Sequence, residues 1–268
     1  MSRDAEAVVY LLDAIRKHSP DTRFYQASST DMFGLAPHGV MLYGEDSPLH
    51  PQSPYASAKA AAHLLCHSYR EVFALRIASG ILSNHESYRR PTSFLTRKVV
   101  DHVLKLKQER DVQPLAVGNL KIEQDWGYAP NYVAGMCRIL RQIETRAAVT
   151  GREPESDEAA NYRDYVLATG KTHAVWELID SAFTLGGFEL EWQLDGDDPA
   201  VWRALYHDSQ TPAVIVNPDL LRRAEPSIIR ADPSRAQTEL GWAPQQGLEV
   251  FLRDMMAVRS LAAIGSDV

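Results

Sequence analysis

The strongest constraint on the fold is the order of the first two predicted elements, a helix that leads directly into a short strand. Apolar residues at helical spacing predict an amphipathic helix over residues 4–18, and residues 19–21, S-P-D, end it. Residues 23–28, R-F-Y-Q-A-S, then predict a largely buried strand. A helix followed at once by such a strand is half of an α/β repeat. The chain is therefore expected to enter a doubly wound sheet partway along that sheet.

The remaining sequence predicts further alternation of helices and strands. We expect an α/β fold: the later part of a doubly wound, Rossmann-like parallel sheet, truncated at its N-terminus, joined to a smaller mixed α/β substrate domain. Residues 1–90 are assigned to the sheet domain and residues 91–268 mostly to the substrate domain, with some segments returning to the sheet. Predicted helices cover residues 55–73, 93–108, 130–145, 172–185, 233–240 and 248–256, predicted strands cover 74–82, 114–117, 165–168 and 213–216, and residues 34–54, 146–162 and 195–210 are predicted to be irregular.

Charge and composition narrow the class of protein. The chain has 268 residues, 45% of them hydrophobic, and its net charge of −7 disfavours nonspecific binding to nucleic acid or anionic membranes. No apolar run approaches the ~18 residues of a membrane span, and residues 1–6 lack a signal-peptide profile. Cys66 and Cys137 lie in predicted helices and are expected to be buried free thiols. We therefore expect a soluble, cytoplasmic protein without a metal site.

The first candidate for chemistry is the pair Tyr55 and Lys59, which the helical repeat places on one face of the predicted helix. A nearby ammonium stabilises a phenolate and lowers the pKa of tyrosine from about 10, so that the side chain becomes a usable base near neutral pH. Taken alone, this spacing is a weak signal and is more typical of a solvated surface pair.

Polar residues at the end of the first strand give that pair a context. The hydroxyls of Ser28, Ser29 and Thr30 and the carboxylate of Asp31 occupy four consecutive positions. Open α/β sheets place their ligand sites at the carboxyl ends of strands. The alternative is a capped turn, for which Ser, Thr and Asp are common. Together with the tyrosine and lysine, these residues favour a catalytic site.

Several blocks of sequence together resemble the GDP-mannose 4,6-dehydratases, members of the extended short-chain dehydrogenase/reductase group. The resemblance runs from about residue 5 to the C-terminus, and its blocks are residues 24–28 (F-Y-Q-A-S), 53–59 (S-P-Y-A-S-A-K), 80–90 (G-I-L-S-N-H-E-S-Y-R-R), 96–98 (T-R-K) and 240–242 (L-G-W). The N-H-E-S segment followed by paired arginines is specific to this family within its superfamily.

The resemblance implies a hydro-lyase that converts GDP-mannose to GDP-4-keto-6-deoxymannose by internal hydride transfer through NADP. It makes Tyr55 the base at the sugar O4, and Lys59 the electrostatic partner of Tyr55 and a ribose contact. Ser29 stands where the family has Thr, and Asp31 stands at the position of the family's Glu. A carboxylate removes the C5 proton, and water then leaves from C6.

The same resemblance assigns binding roles to six further positions. His85 and Arg90 match cofactor contacts, with Arg90 expected to reach the cofactor of a neighbouring subunit. The alternatives that involve no ligand are a structural role for His85 and ordinary surface charge for Arg90 and Lys98. Trp126 is expected to serve packing. The positions expected to line the GDP-sugar are Asn84, Lys98, Arg222 and Glu225.

Three departures from the family bear on activity. The first glycine is Gly34, and the sequence has no G-x-G-x-x-G or P-loop, so most NADP contacts are missing. Asp31 is one methylene shorter than Glu, and Gln124 replaces a charged diphosphate ligand. A truncated sheet would also expose a strand edge, which a homo-oligomer or a complementing chain would have to cover. The alternatives are a catalytically impaired homologue that binds a GDP-sugar or a partner, and one half of a split enzyme.

Overall fold

The computed structural model describes residues 2–34, 42–109, 111–150, 162–221, 229–244 and 247–264. It divides into two compact units, and each is assembled from three stretches of chain. Unit 1 comprises Met1–His85, Pro130–Lys171 and Ile229–Gln245, and unit 2 comprises Glu86–Ala129, Thr172–Ile228 and Gln246–Val268. The first boundary lies between His85 and Glu86, a few residues before the position expected from the sequence.

The helices of the described residues are α1 (Ser2–His18), α2 (Pro54–Phe73), α3 (Leu95–Gln108), α4 (Ala129–Thr150), α5 (Val175–Gly186), α6 (Ser234–Leu240) and α7 (Leu248–Ile264). The strands are β1 (Phe24–Ser29), β2 (Leu42–Tyr43), β3 (Ile77–Leu82), β4 (Asn84–Glu86), β5 (Leu115–Val117), β6 (Glu123–Gln124), β7 (Trp126–Tyr128), β8 (Tyr165–Leu167), β9 (His173–Ala174), β10 (Leu190–Gln193), β11 (Arg203–Tyr206), β12 (Pro212–Val216) and β13 (Arg230–Ala231). None of these helices is long and apolar enough to cross a membrane.

The main sheet of unit 1 has the order β1-β3-β8, and both pairings are parallel. All six residues of β3 are buried, as expected for the middle strand of a parallel sheet covered on both faces. One face packs against α1 and α2 through a cluster that includes Leu12, Cys66 and Ile77. Helices α4 and α6 contribute Tyr132 and Ala236 to a second cluster. The predicted α/β fold with a parallel sheet is confirmed.

The two edges of this sheet differ. At the β8 edge, the buried carboxylate of Glu45 accepts a hydrogen bond of 2.8 Å from the Val166 N–H, so a side chain satisfies the strand. At the β1 edge, no strand among the described residues pairs on the outer side. The Phe24 N–H donates to the Arg76 carbonyl, towards β3. The two-residue repeat of a strand therefore turns the backbone groups of Ala27 outward.

Unit 2 contains a four-stranded sheet in the order β10-β11-β12-β5, in which the last pairing is parallel and the others are antiparallel. Helices α3, α5 and α7 cover it with residues such as Val100, Phe183 and Phe251, which are fully buried. Trp126 also lies in this core, which agrees with its expected packing role.

Three expectations about elements and thiols were wrong. Strand β10 was not predicted, and β2 and β11 lie inside the segments 34–54 and 195–210 that were predicted to be irregular. Helix α4 continues to Thr150, beyond the predicted end at residue 145. Both cysteines are free, but only Cys66 is buried while Cys137 is exposed. Strand β10 could not be predicted from the sequence because its residues alternate between half-buried and exposed, without the apolar run typical of a buried strand.

Candidate active site

Helix α2 begins immediately before the candidate tyrosine, and its start is fixed by local sequence. The hydroxyl oxygen of Ser53 accepts a hydrogen bond of 3.0 Å from the Ala56 N–H, and Pro54 occupies the first helical turn. Ser at the N-cap and Pro at the first position are the residue types that helix starts favour. Tyr55 is therefore held in the first turn and Lys59 one turn later.

Lys59 joins α2 to β1. Its ammonium donates a hydrogen bond of 3.0 Å to the carbonyl oxygen of Ala27, and its nitrogen lies 5.8 Å from the centre of the Tyr55 ring. Tyr55 is 45% exposed, so its ring is open to a ligand. The predicted pairing of these two side chains on one helical face agrees with this geometry.

Ser29, the last residue of β1, is buried, and its hydroxyl oxygen accepts a hydrogen bond of 3.2 Å from the Asp31 N–H. This contact caps the single turn Thr30–Met32, so the capped-turn alternative describes the local geometry correctly. A hydroxyl offers two acceptor lone pairs and one donor, so capping leaves the Ser29 O–H able to donate to a ligand. The Asp31 side chain is exposed.

His85 lies after β3 and is held by two contacts within unit 1. Its Nδ1 lies 2.9 Å from the Ser83 carbonyl oxygen, and its ring stacks on Tyr132 with 4.9 Å between ring centres. The Tyr132 and Ser83 hydroxyls are in turn 2.6 Å apart. Asn84 and His85 are both half-buried. Packing therefore fixes the orientation of the imidazole.

Arg90 belongs to unit 2, where it stacks on a ring and pairs with a carboxylate. Its guanidinium carbon lies 3.7 Å from the centre of the Phe94 ring, and its Nε is 3.0 Å from a carboxylate oxygen of Glu86. Thr96 donates a 2.7 Å hydrogen bond to the same carboxylate. Burial raises the pKa of Glu86, although Arg90 and Thr96 both act in the opposite direction.

The remaining predicted binding residues are less constrained by the structure. Lys98, on α3 of unit 2, donates a hydrogen bond of 2.6 Å to the Ala116 carbonyl oxygen. Gln124 is exposed in β6. Arg222 and Glu225 lie outside the described residues. The structure therefore pairs Lys59 with Tyr55 at the start of α2 and with Ala27 of β1, and it places Ser29 and Asp31 at the end of the same strand. Arg90 and Lys98 belong to a different unit.

A polar network behind this site was not found by sequence reasoning. The Ser28 hydroxyl and Nδ1 of His63 are 3.0 Å apart, and Nε2 of His63 lies 3.9 Å from the Asp164 carboxylate. Arg70 donates to both oxygens of Asp164, at 2.9 and 3.2 Å. His63 is four residues beyond Lys59, so helical spacing alone could have placed it on the same face. Asp164 is 94 residues from Arg70 in sequence, and no local signal indicates that contact.

A parallel sheet flanked by helices, with the Tyr-Lys helix packed against its first strand, is a Rossmann-like α/β fold. Solved structures agree. RMD from Pseudomonas aeruginosa, complexed with NADPH, superposes with a TM-score of 0.72 and 21% identity over 95% of this chain and 72% of that one. A dTDP-glucose 4,6-dehydratase from Bacillus anthracis, in complex with NAD, gives 0.68 and 17% over 95% and 66%.

The chain belongs to the GDP-mannose 4,6-dehydratase family, a family of enzymes, whose profile matches residues 1–255. The GDP-mannose 4,6 dehydratase of Drosophila melanogaster is 34% identical over 255 residues, which are 94% of this chain and 59% of that protein. The Vibrio cholerae GDP-mannose 4,6-dehydratase is 35% identical over 264 residues, 95% of this chain and 65% of that protein. The chain therefore spans less than two thirds of the length of these relatives.

Proposed function

We propose that this chain carries the proton-transfer site of an NADP-dependent GDP-mannose 4,6-dehydratase, a hydro-lyase. The observation that carries the proposal is the Lys59 ammonium, which is hydrogen-bonded to Ala27 of β1 and lies 5.8 Å from the centre of the exposed Tyr55 ring. Ser29, whose hydroxyl is buried, ends the same strand. Such an arrangement combines a base, an electrostatic partner and a hydrogen-bond donor, the groups needed to move a proton from a sugar hydroxyl.

The side chains take distinct roles in this proposal. The Tyr55 phenolate accepts the proton of the sugar O4, and the Lys59 ammonium stabilises the phenolate. Lys59 has three N–H donors, of which the Ala27 carbonyl uses one, so two remain for the phenolate and a ribose hydroxyl. Ser29 orients the sugar through its O–H. The Asp31 carboxylate removes the C5 proton, after which water is lost from C6.

The residues present fit one end of the cofactor. Lys59 and Ser29 supply hydrogen-bond donors, and Tyr55 an acceptor, suited to a ribose and nicotinamide, while the described residues contain no glycine-rich turn at a helix N-terminus for the pyrophosphate. NADP, when bound, supplies the acceptor and donor of hydride. His85 and Arg90 are the further proposed cofactor contacts. The residues proposed to bind the GDP-sugar are Asn84, Lys98, Arg222 and Glu225.

The outer edge of β1 leads us to propose a partner as well. Long unpaired strand edges favour association with another strand. We propose that another subunit of a homo-oligomer, or a complementing chain, covers β1. A GDP-sugar- or partner-binding homologue without catalysis, or one half of a split enzyme, is the second candidate function. It is favoured by the Asp31 carboxylate, which is one methylene shorter than the Glu of the family.

The function is tested with GDP-mannose and NADP⁺, by titration calorimetry for binding and by measuring the 4-keto-6-deoxy product for activity. Replacing Tyr55 with Phe removes the proposed base, so we expect product formation to fall at least about a hundredfold while GDP-mannose binding is retained. Tyr10→Phe is the matched control, because Tyr10 is 65% exposed on α1 and its hydroxyl donates only to the nearby Glu6.

The outcomes separate the two candidate functions. Binding of GDP-mannose without product favours the non-catalytic homologue or the split enzyme. Full activity of Tyr55→Phe would refute the assigned base, and failure of the chain to bind GDP-mannose would contradict the proposed function as a whole.

A further inference from the structure

Three polar side chains on one face of α2 tie this helix to the sheet of unit 1. Lys59 contacts β1 at Ala27, His63 contacts β1 at Ser28, and Arg70 donates to the Ile77 carbonyl of β3 at 3.4 Å and to Asp164. Steps of four and seven residues keep side chains on the same helical face. Successive turns of the helix are thus fixed on the sheet by hydrogen bonds.

The Ser28–His63 contact occupies the middle of this series, directly beside the site. Ser28 follows Ala27, which accepts from Lys59, and precedes Ser29, which carries the site hydroxyl. Ser28 is 3% exposed and His63 is 8% exposed. A hydrogen bond between two buried groups is costly to break, because a partner that loses it is left without water as a substitute.

Ser28, His63 and Asp164 do not form a nucleophilic triad. The buried Ser28 hydroxyl leaves no access for a substrate, and the Asp164 carboxylate is already engaged by Arg70 and by the Ser79 N–H at 2.8 Å. The distance of 3.9 Å from Asp164 to His63 also exceeds a hydrogen bond. The contact between Ser28 and His63 therefore serves to hold α2 against β1.

The protonation states of this network fit a fixed hydrogen bond. Burial lowers the pKa of His63, with Arg70 and His67 acting in the same direction and Asp164 opposing them. Burial alone would raise the pKa of Asp164, but Arg70 outweighs it and holds that pKa below its ordinary value. A neutral imidazole accepts the Ser28 O–H at Nδ1 and turns its Nε2–H towards the Asp164 carboxylate.

We propose that Ser28 and His63 are positioning residues that set the register of α2 on β1. Their hydrogen bond keeps the Lys59 ammonium on the Ala27 carbonyl and within range of the Tyr55 ring. Loss of the bond lets α2 shift on the strand, which separates the ammonium from the phenol. The inference rests on the proposed function in one respect, because that function gives the Tyr55–Lys59 pair its catalytic role.

The test is carbon NMR of the full chain labelled at the tyrosine Cζ, with the Tyr55 resonance assigned by Tyr55→Phe and followed against pH. A displaced ammonium stabilises the phenolate less. We therefore expect Ser28→Ala and His63→Phe each to raise the midpoint of the Tyr55 titration by about half a pH unit, or about threefold less phenolate at a given pH. The double variant should add little to either single change, because both remove the same bond.

Two further variants separate positioning from general damage. His63→Asn retains a polar atom near the position of Nδ1, so the midpoint of its Tyr55 titration should lie close to the wild-type value. Cys66→Ala opens a cavity on the same helix, on the side that packs against α1, and should lower thermal stability without moving the midpoint. If His63→Phe does not fold, the titration midpoints of Ser28→Ala and His63→Asn are compared instead.

An unchanged midpoint in folded Ser28→Ala, or an equal shift in Cys66→Ala, would overturn the inference. The measurement uses neither cofactor nor sugar, so it is independent of dehydratase activity. If Tyr55→Phe proves fully active while Ser28→Ala still shifts the midpoint, the proposed function fails and the positioning role stands.

Discussion

At the residue scale, the sequence predicted the pairing of Tyr55 and Lys59 at the start of α2 but not the contacts that hold the two side chains in place. Tyr55 and Lys59 could be placed on one face because helical spacing is local information. Ser53 and Pro54 mark the start of that helix equally clearly. The acceptor for Lys59 is the backbone carbonyl of Ala27, and the sequence carries no signal for it because every residue has a carbonyl. His63 lies one turn beyond Lys59 on the same helical face, but its partners Ser28 and Asp164 are distant in sequence and local spacing does not indicate them.

The role proposed for Asp31 leads to a prediction that separates two chemical steps. Asp31→Asn removes the proposed base for the C5 proton but leaves Tyr55 and Lys59 in place. We expect at least about a hundredfold loss of product, with transient reduced cofactor still formed. Asp31→Glu extends the carboxylate by one methylene and should raise turnover if reach is limiting, since displacements near 1 Å can change rates about a hundredfold.

Stopped-flow absorbance of the reduced cofactor, followed together with product in the same sample, measures both steps. Full product formation by Asp31→Asn would show that this residue serves only the turn after β1, where its N–H donates to Ser29.

At the element scale, the parallel strands and most helices followed from periodicity, whereas close approaches between strands did not. Residues 74–82 could be recognised as a strand from their apolar content, but the sequence did not show why Gly80 has to be a glycine. In the structure, a Cβ added to Gly80 would lie 2.2 Å from the Tyr25 hydroxyl, so the tyrosine of β1 crosses over β3 at this point. Burial raises the pKa of Tyr25. The need for glycine arises from a neighbouring strand, which local sequence does not reveal.

This contact predicts that Gly80→Ala destabilises unit 1. The added methyl group must displace the partly buried Tyr25 ring, and overpacking of a core costs about 1–3 kcal/mol in the free energy of unfolding. Gly44→Ala is the matched control, because an added Cβ there meets no atom within 4 Å. Urea unfolding followed by circular dichroism measures both variants. Equal stability of Gly80→Ala and Gly44→Ala would show that Tyr25 moves aside without cost.

At the scale of the whole molecule, each of the two units is built from stretches that are distant in sequence. The segment 130–171 supplies β8 and most of α4 to unit 1, far from β1 and β3 in sequence. Its return to the first unit depends on strand pairing between distant residues, such as Gly80 with Tyr165. Short strands like β8 contain too few residues to specify a partner on their own. On the outer side of β1, no strand among the described residues pairs.

The last prediction concerns that edge. The Ala27 carbonyl is turned outward, and Lys59 and the Gln26 side chain both donate to it, at 3.0 and 3.2 Å. Charged lysines on strand edges weaken association, so Lys59 is expected to reduce, without preventing, the pairing of the proposed partner with β1. Lys59→Met keeps the aliphatic stem but removes the ammonium, so we expect stronger self-association, seen as a sedimentation coefficient that rises more steeply with protein concentration. Lys171→Met, at an exposed position of unit 1, controls for the loss of one charge. Identical sedimentation of Lys59→Met and wild-type protein at all concentrations would mean that Lys59 does not protect the edge, and that another feature of β1 limits association.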